Sequence, residues 1–561
     1  MIPRHFHAPG PSTMTTRTGG ECAHEALLAL GVRHVFGIPS IHNLPVFDAI
    51  LRGGRIQPVI VRNEQCAVHS ADGYARATGE LGVVLASTGP GTTNTVTGIY
   101  EAAFACSPVL VLTGQVETIH YGKGRGAGHE AERQVQMLQS VARRVESPRH
   151  THDIAPAIFR AVADIRTGRP QPAVVEIPID IQYGSTDVPV GAPYPTHAVP
   201  LADKDIAAAQ ALLAEGTRRI IVAGGGVIGG DAAAELQALA ERLDAVVFSS
   251  TNGHGALPED HPLALGVTMD SPLFRTAWTD ADVVLAVGTR FRGGPLQWNM
   301  KLPGKLIHLD IDARNLDLTH RADLALIGDA KLGLAALASG LNAPAGDREF
   351  VAKMQGVRTQ VRASHRKRIG PDHAGIMDAL RAGMPDDAIF VRDMTIPAYA
   401  WGNQYFPILQ PRTTMNPVSG AIGPGIALAN GAAVATGRKT VLLQGDGGFT
   451  MHIGELTTAV QYQLPVVVCV FTDGGYGVLR AIQRNNFEGR NIGVELSTPD
   501  FVQVARGMGL AAEKVVGLEA FAPALARAMA ADGPYLIDID ASSLQPPTGF
   551  GAPRKVGSPG G

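Results

Sequence analysis

Cysteine is scarce and scattered. The 561-residue chain has four, Cys22, Cys66, Cys106 and Cys469, and no C-x-x-C pair. That disfavours a disulfide scaffold or a cysteine-based zinc site and fits a reducing cytoplasm. Long apolar runs are also missing. Candidates such as Leu464–Phe471 have the length of a strand, far short of the roughly 20 residues that span a bilayer. Neither sign of charge dominates: 48 Lys plus Arg face 51 Asp plus Glu, a formal net charge of -3. No global electrostatic case therefore exists for nucleic acid or an anionic membrane as partner. Met1–Thr18 contains no apolar core of the kind a secretory signal needs, and Met14 is an alternative start to Met1.

What the chain does have is an ordinary globular composition, 45% hydrophobic and 18% charged, with 66 Gly and 38 Pro. At roughly 100–200 residues per domain its length predicts three or four domains. Short apolar runs alternate with helical stretches in three blocks. The first, residues 15–183, has candidate strands Pro58–Val61, Gly82–Ala86, Val109–Thr113 and Ala173–Ile177 around helices Gln65–Thr78 and Thr93–Ala105. The second, 201–337, has Arg219–Ala223, Ala245–Phe248, Val283–Val287 and Leu306–Asp310. The third, 350–543, has Ala388–Val391, Thr440–Gln444, Val466–Phe471 and Tyr535–Ile539. Pro- and Gly-rich linkers (184–200 and 339–347) separate them, and residues 1–14 and 545–561 read as flexible tails. The fold class is α/β, with three doubly wound parallel-sheet domains.

Chemistry concentrates in the third block. The strand Thr440–Gln444 runs into Gly445-Asp446-Gly447-Gly448. The strand Val466–Phe471 runs into Thr472-Asp473-Gly474-Gly475-Tyr476-Gly477. Two acids thus follow the C-terminal ends of two apolar strands, the edge where open parallel sheets bind ligands. Two carboxylates with a backbone carbonyl make a hard oxygen site for a divalent cation, and Gly-rich turns expose N–H groups to an anion. Each turn taken alone also reads as a strand-to-helix connection capped by Asp.

The ordered pair resembles the thiamine-diphosphate enzymes of the acetolactate synthase and 2-oxoacid decarboxylase superfamily. The resemblance runs from about Met14 to Ser543. It implies that the three domains are pyrimidine-binding, central Rossmann-like and diphosphate-binding. It also implies that Asp446, Asp473 and the Gly475 carbonyl ligate Mg²⁺, and that Gly445, Asp446, Gly447, Gly448 and Tyr476 border the diphosphate. Thr472 departs from the Asn usual in the family. In Ser419-Gly420-Ala421-Ile422-Gly423, Ile422 matches the aliphatic residue that bends the cofactor, although a core role is an alternative. Glu64, in Arg62-Asn63-Glu64-Gln65, matches the acid that shares a proton with N1′ of the aminopyrimidine. An acid in the first turn of a helix also stabilises the helix dipole.

Two further residues are implied near the substrate. Gln115 follows the strand Val109–Thr113 and is otherwise a surface Gln. His42 lies in Phe36-Gly37-Ile38-Pro39-Ser40-Ile41-His42-Asn43 and is otherwise structural. Ile41 stands where related decarboxylases have Asp or Ser, and the adjacent His-His pair of pyruvate decarboxylases is missing near Gln115. These departures tilt the expectation toward carboligation, or toward a decarboxylase or C–C lyase for an unusual 2-oxoacid or acyloin. Gly224–Gly229 fits G-x-G-x-x-G without the acid that NAD sites carry about 20 residues on. The central domain holds FAD in acetolactate synthases. Here Arg290-Phe291-Arg292-Gly293-Gly294 departs from their string, so FAD is only a secondary expectation. The expected assembly is a cytoplasmic homodimer or homotetramer with Glu64 and the metal site facing each other across subunits. Its expected partner is a small 2-oxoacid, with no nucleic acid and no membrane. A nucleotide-binding oxidoreductase and a catalytically silent scaffold stay open as rivals.

Overall fold

Runs of β-branched and aliphatic residues form strands buried on both faces. In Val109–Gln115 every residue is buried, as is every residue but the last of Val466–Thr472. Successive side chains point to opposite sides of a strand. Val83, Leu85, Leu110 and Leu112 join one apolar cluster, and Val84, Val109 and Val111 join another. Helices must therefore cover both faces of the sheet. The computed structural model describes residues 16–292, 301–548 and 550. The proposed tail 1–14 lies outside them. Of the segment 545–561, Gln545 and Thr548 are tied down by N–H donations to Asp372 and to the Arg368 carbonyl.

Strand β1 (Arg17–Thr18) pairs antiparallel with β8 (Ser185–Thr186), outside the three main sheets. The first sheet comprises β2 (His34–Gly37), β3 (Gln57–Ile60), β4 (Gly82–Ala86), β5 (Val109–Gln115), β6 (Arg144–Glu146) and β7 (Ala173–Pro178), in the order β3-β2-β4-β5-β7-β6. The central sheet comprises β9 (Arg219–Ala223), β10 (Val246–Ser249), β11 (Ala264–Gly266), β12 (Val283–Val287), β13 (Lys305–Asp310) and β14 (Leu324–Ile327), ordered β11-β10-β9-β12-β13-β14. The third comprises β15 (Ile389–Arg392), β16 (Thr414–Met415), β17 (Thr440–Gly445), β18 (Val466–Thr472), β19 (Ala511–Val515) and β20 (Tyr535–Asp540), ordered β16-β15-β17-β18-β20-β19. All pairings within these three sheets are parallel. The first and third sheets share one strand order, so the two blocks are topological copies, while the central sheet has the dinucleotide-fold order.

The copies pack on each other through helices at equivalent places. Glu64–Thr78 follows the second strand of the first sheet, and Gly425–Thr436 follows the second strand of the third. Their backbones nearly touch. A Cβ on Gly431 would collide with the Ser70 carbonyl, and one on Gly73 with the Leu428 carbonyl. Helix Arg348–Gly383 joins the central and third domains and is broken at Gly370, where φ is 79°. Gly431→Ala is expected to cost about 1–3 kcal/mol through overpacking of this interface. Thermal denaturation reads it as a lowered midpoint.

Candidate active site

The parallel register sets the site. Gly445 at the end of β17 is paired with Phe471 near the end of β18, so Asp446 and Asp473 leave the same edge of the sheet side by side. Asp446 is fully buried. Its Oδ2 accepts the N–H groups of Gly474 (2.8 Å) and Gly475 (3.1 Å), and its Oδ1 accepts that of Gly447 (2.9 Å). Burial nevertheless holds its carboxyl above the usual range. Asp473 is pushed up to about 6, by burial first and by the neighbouring Asp446 carboxylate second, against the pull of Arg480. Its Oδ1 is buried with no hydrogen-bond partner, although the Arg480 guanidinium stands 3.5 Å away.

Glycines make room for these acids. A Cβ on Gly477 would collide with Asp473 Oδ2, and one on Gly447 would lie 2.7 Å from the Gly475 carbonyl oxygen and 2.8 Å from the Tyr476 ring. Gly475 has a φ of 149°, which turns the loop back on itself. Ile422 borders the same turn, since its Cγ2 would lie 3.0 Å from a Cβ on Gly448. The third-domain residues expected to form one site, Ile422, Gly445–Gly448, Asp473, Gly475 and Tyr476, are thus brought together. Among the described residues no three His, Cys, Asp or Glu side chains cluster as a metal site. The donor set here is instead two carboxylates and a carbonyl, with an orphaned buried oxygen, and these residues fit a hard divalent cation.

The departure at Thr472 has a local explanation. Its hydroxyl donates to Asp538 Oδ1 on β20 (2.5 Å), which fastens the end of β18 to its neighbour. A support missed by sequence reasoning is Asp393, just past β15. Its buried carboxylate accepts from Gly423 N (3.0 Å), Gly425 N (2.7 Å), Met394 N (2.6 Å) and Gln444 Nε2 (3.0 Å). It fixes the turn after Ile422 at the crevice between β15 and β17, where strand order reverses.

The first-domain residues form a separate group on the equivalent sheet edge. Glu64 opens the helix Glu64–Thr78, with Asn63 capping the Gln65 N–H. Its Oε2 accepts from Asn94 Nδ2 at 3.0 Å, and Oε1 lies beside Gly91. Gln115 is buried in a polar network: its Nε2 donates to Glu176 (3.1 Å), and its Oε1 accepts from Val116 N (2.8 Å) and Thr88 Oγ1 (3.3 Å). His42 sits against Gly114 with its Nδ1 buried and unpartnered, and burial followed by His129 lowers its pKa. The His42 and His129 rings are 5.0 Å apart, an imidazole pair made through space from residues far apart in the chain. The hydroxyls of Ser40 and Ser87 bridge the loops after β2 and β4 at 2.6 Å.

Three family models match in succession. They are the N-terminal thiamine pyrophosphate binding domain over residues 17–139, the central domain over 206–337 and the C-terminal thiamine pyrophosphate binding domain over 398–539. A probable acetolactate synthase large subunit of Methanocaldococcus jannaschii is 34% identical, over 95% of this chain and 94% of its own. The chain belongs to the thiamine pyrophosphate enzyme family. A probable 2-ketoarginine decarboxylase of Pseudomonas aeruginosa is also 34% identical, over 93% of this chain and 94% of its own. The acetolactate synthase isozyme 2 large subunit of Escherichia coli is 30% identical, over 94% and 96%. In this member of the family, the Asp446–Asp473 turn lies in the C-terminal thiamine pyrophosphate binding domain, and Glu64 lies in the N-terminal one.

Asp393→Ala is expected to leave several buried donors open, each costing about 1–3 kcal/mol. Urea unfolding reads the loss as a lower midpoint.

Proposed function

We propose that the chain is a thiamine-diphosphate- and Mg²⁺-dependent enzyme acting on a small 2-oxoacid, by decarboxylation with or without carboligation, in the manner of an acetolactate synthase. The observation that carries this reading is the pair of buried Asp446 and partly buried Asp473, with one oxygen unpartnered, at adjacent strand tips in a chain of this family. Bound, thiamine diphosphate supplies a nucleophilic carbon and an electron sink for loss of CO₂.

The protein's own residues do the rest. Asp446, Asp473 and the Gly475 carbonyl hold Mg²⁺. The Gly445–Gly448 turn presents N–H groups to the diphosphate, and Tyr476 borders it. Ile422 supports the cofactor from the side of its turn. Glu64 holds a proton at N1′ of the aminopyrimidine, His42 handles the proton of a substrate hydroxyl, and Gln115 braces the wall beside it.

The same reading includes a homodimer or homotetramer in which Glu64 of one subunit meets the acid pair of the other, as the resemblance to the family implies. Gly224 and Gly226 pack on Gly288, where a side chain on Gly226 would come within 2.6 Å of its Cα. Their missing side chains are thereby accounted for by packing, so the string by itself calls for no dinucleotide, and FAD and an oxidoreductase stay secondary to this reading. No helix among the described residues is long and apolar enough to cross a membrane. With four free cysteines, a cytoplasmic location belongs to the same reading. A relative named a 2-ketoarginine decarboxylase, as similar as the acetolactate synthase, favours as second reading a decarboxylase for a larger 2-oxoacid.

A panel of 2-oxoacids that includes pyruvate and 2-ketoarginine, assayed for CO₂ and for carbon–carbon products with thiamine diphosphate and Mg²⁺, tests both. Release of CO₂ from none of them sinks the proposal. Asp446→Ala is expected to abolish Mg²⁺-dependent cofactor binding by calorimetry, and undiminished binding refutes the metal assignment. Mixing inactive Glu64→Gln and Asp446→Ala chains is expected to restore roughly a quarter of the activity, because half of the chains' random dimers pair both types and hold one intact site of two. No recovery after subunit exchange places the site within one chain.

A further inference from the structure

The position of Glu64 is set from outside its own domain. Strand β3, which leads to it, is an edge strand and has no sheet partner on one side. The third domain supplies one. The Tyr462 hydroxyl accepts the Ile60 N–H (2.8 Å) and donates to the Pro58 carbonyl (3.2 Å). Two residues on, Glu455 Oε1 accepts the Arg62 N–H at 2.8 Å. The Arg62 side chain reaches the same helix, Glu455–Gln461, through Thr457 Oγ1 (2.9 Å) and Gln461 Oε1 (2.7 Å). Glu455 is itself buried and held: its Oε2 accepts from Thr458 Oγ1 (2.7 Å), and its carbonyl accepts from Asn430 Nδ2 (3.0 Å). The helix it opens is only a few residues beyond the Asp446 turn.

The reverse contact exists at the equivalent place. Glu101, fully buried in the helix Pro90–Ala105, accepts the Val418 N–H (2.5 Å), the Ser419 N–H (3.0 Å) and the Ser419 hydroxyl. Each glutamate lies in a helix between the third and fourth strands of its sheet. Each grips the backbone that follows the second strand of the other sheet. One gripped segment leads to Glu64 and the other to Ile422.

We propose that Glu455 is a positioning residue for Glu64. As a backbone acceptor in the opposite domain, it sets where the Glu64 carboxylate stands and so how fast the bound cofactor loses its C2 proton. This rests on the proposed role of Glu64. An ordinary first-turn acid would act instead through its charge on the helix dipole. The two differ in what glutamine does. An amide keeps an oxygen for the Arg62 N–H, and its NH₂ can donate to the Thr458 hydroxyl, but it carries no charge.

The test is C2 hydrogen–deuterium exchange of thiamine diphosphate bound to the Mg²⁺-loaded full chain, alongside calorimetric cofactor affinity. Glu455→Ala is expected to slow exchange at least about tenfold with affinity changed less than about threefold, a misplacement effect. Glu455→Gln is expected to stay close to the unaltered protein. Tyr462→Phe, which keeps the ring and removes only the hydroxyl, is expected to slow exchange in the same direction, and it decides the matter if the alanine variant fails to fold. Exchange at full rate in Glu455→Ala or, failing that variant, in Tyr462→Phe overturns the proposal. So does an equal loss in the Ala and Gln variants. Glu64→Gln is the reference. Full-rate exchange in that variant removes the role of Glu64 itself, independently of what Glu455 does.

Discussion

Parallel pairing of β17 with β18 forces two carboxylates to emerge beside each other into a partly buried turn. Two neighbouring anions in a poorly solvated place repel each other and lose hydration, and each effect alone raises a carboxyl pKa. The surroundings answer only part of that demand. Three backbone N–H groups meet Asp446, while Asp473 keeps an oxygen with no donor. The glycines at 447 and 477 follow from the same constraint, because side chains there would occupy the space of the Tyr476 ring or of Asp473, while Gly475 is needed where the turn packs on the Val494 backbone. An arrangement that is unfavourable when empty and offers hard oxygen donors gains most from a divalent cation.

The two outer domains solve one topological problem twice and use the solutions differently. Both sheets reverse strand order beside their first strand, and both place functional candidates at that crevice. In the third domain Asp393 organises the turn after Ile422. In the first domain the Ser40 and Ser87 hydroxyls bridge the gap, with His42 and Gln115 nearby. In the central sheet, glycine packs on glycine where the loops after β9 and β12 meet. A G-x-G-x-x-G string there therefore carries a packing requirement that is indistinguishable, in one sequence, from a phosphate-binding one.

This explains what could be read from the chain alone. The strands were legible because burial on both faces leaves uninterrupted apolar runs, and observed ends differ from the expected ones by a residue or two, as where Val466–Phe471 extends to Thr472. The short edge strands β16 and β6 carried no such run. The carboxylate turns were legible because glycine spacing and acid position are local. Asp393, Glu455 and Tyr462 were not, since each acts on backbone groups that are distant in sequence or carry no side-chain signature. The Thr472 hydroxyl finds its partner on β20, and His42 finds His129 across a loop that no periodicity predicts. Gln115 was singled out as a polar group at a strand end, but its buried network with Glu176 and Thr88 depends on three separate segments.

The reciprocal glutamates hold backbone that belongs to the opposite domain. A buried carboxylate that accepts main-chain N–H groups is indifferent to which side chains those residues bear. Substitution at Val418 can therefore change the chemistry of its gripped loop without releasing it, whereas loss of the acceptor frees a whole segment. Because the helices Glu64–Thr78 and Gly425–Thr436 are packed backbone to backbone between the two grips, neither domain can rotate without straining both. Glu64 and Ile422 are thus held in one frame by contacts that touch neither side chain. That is how a short loop after an edge strand holds Glu64 in a fixed place.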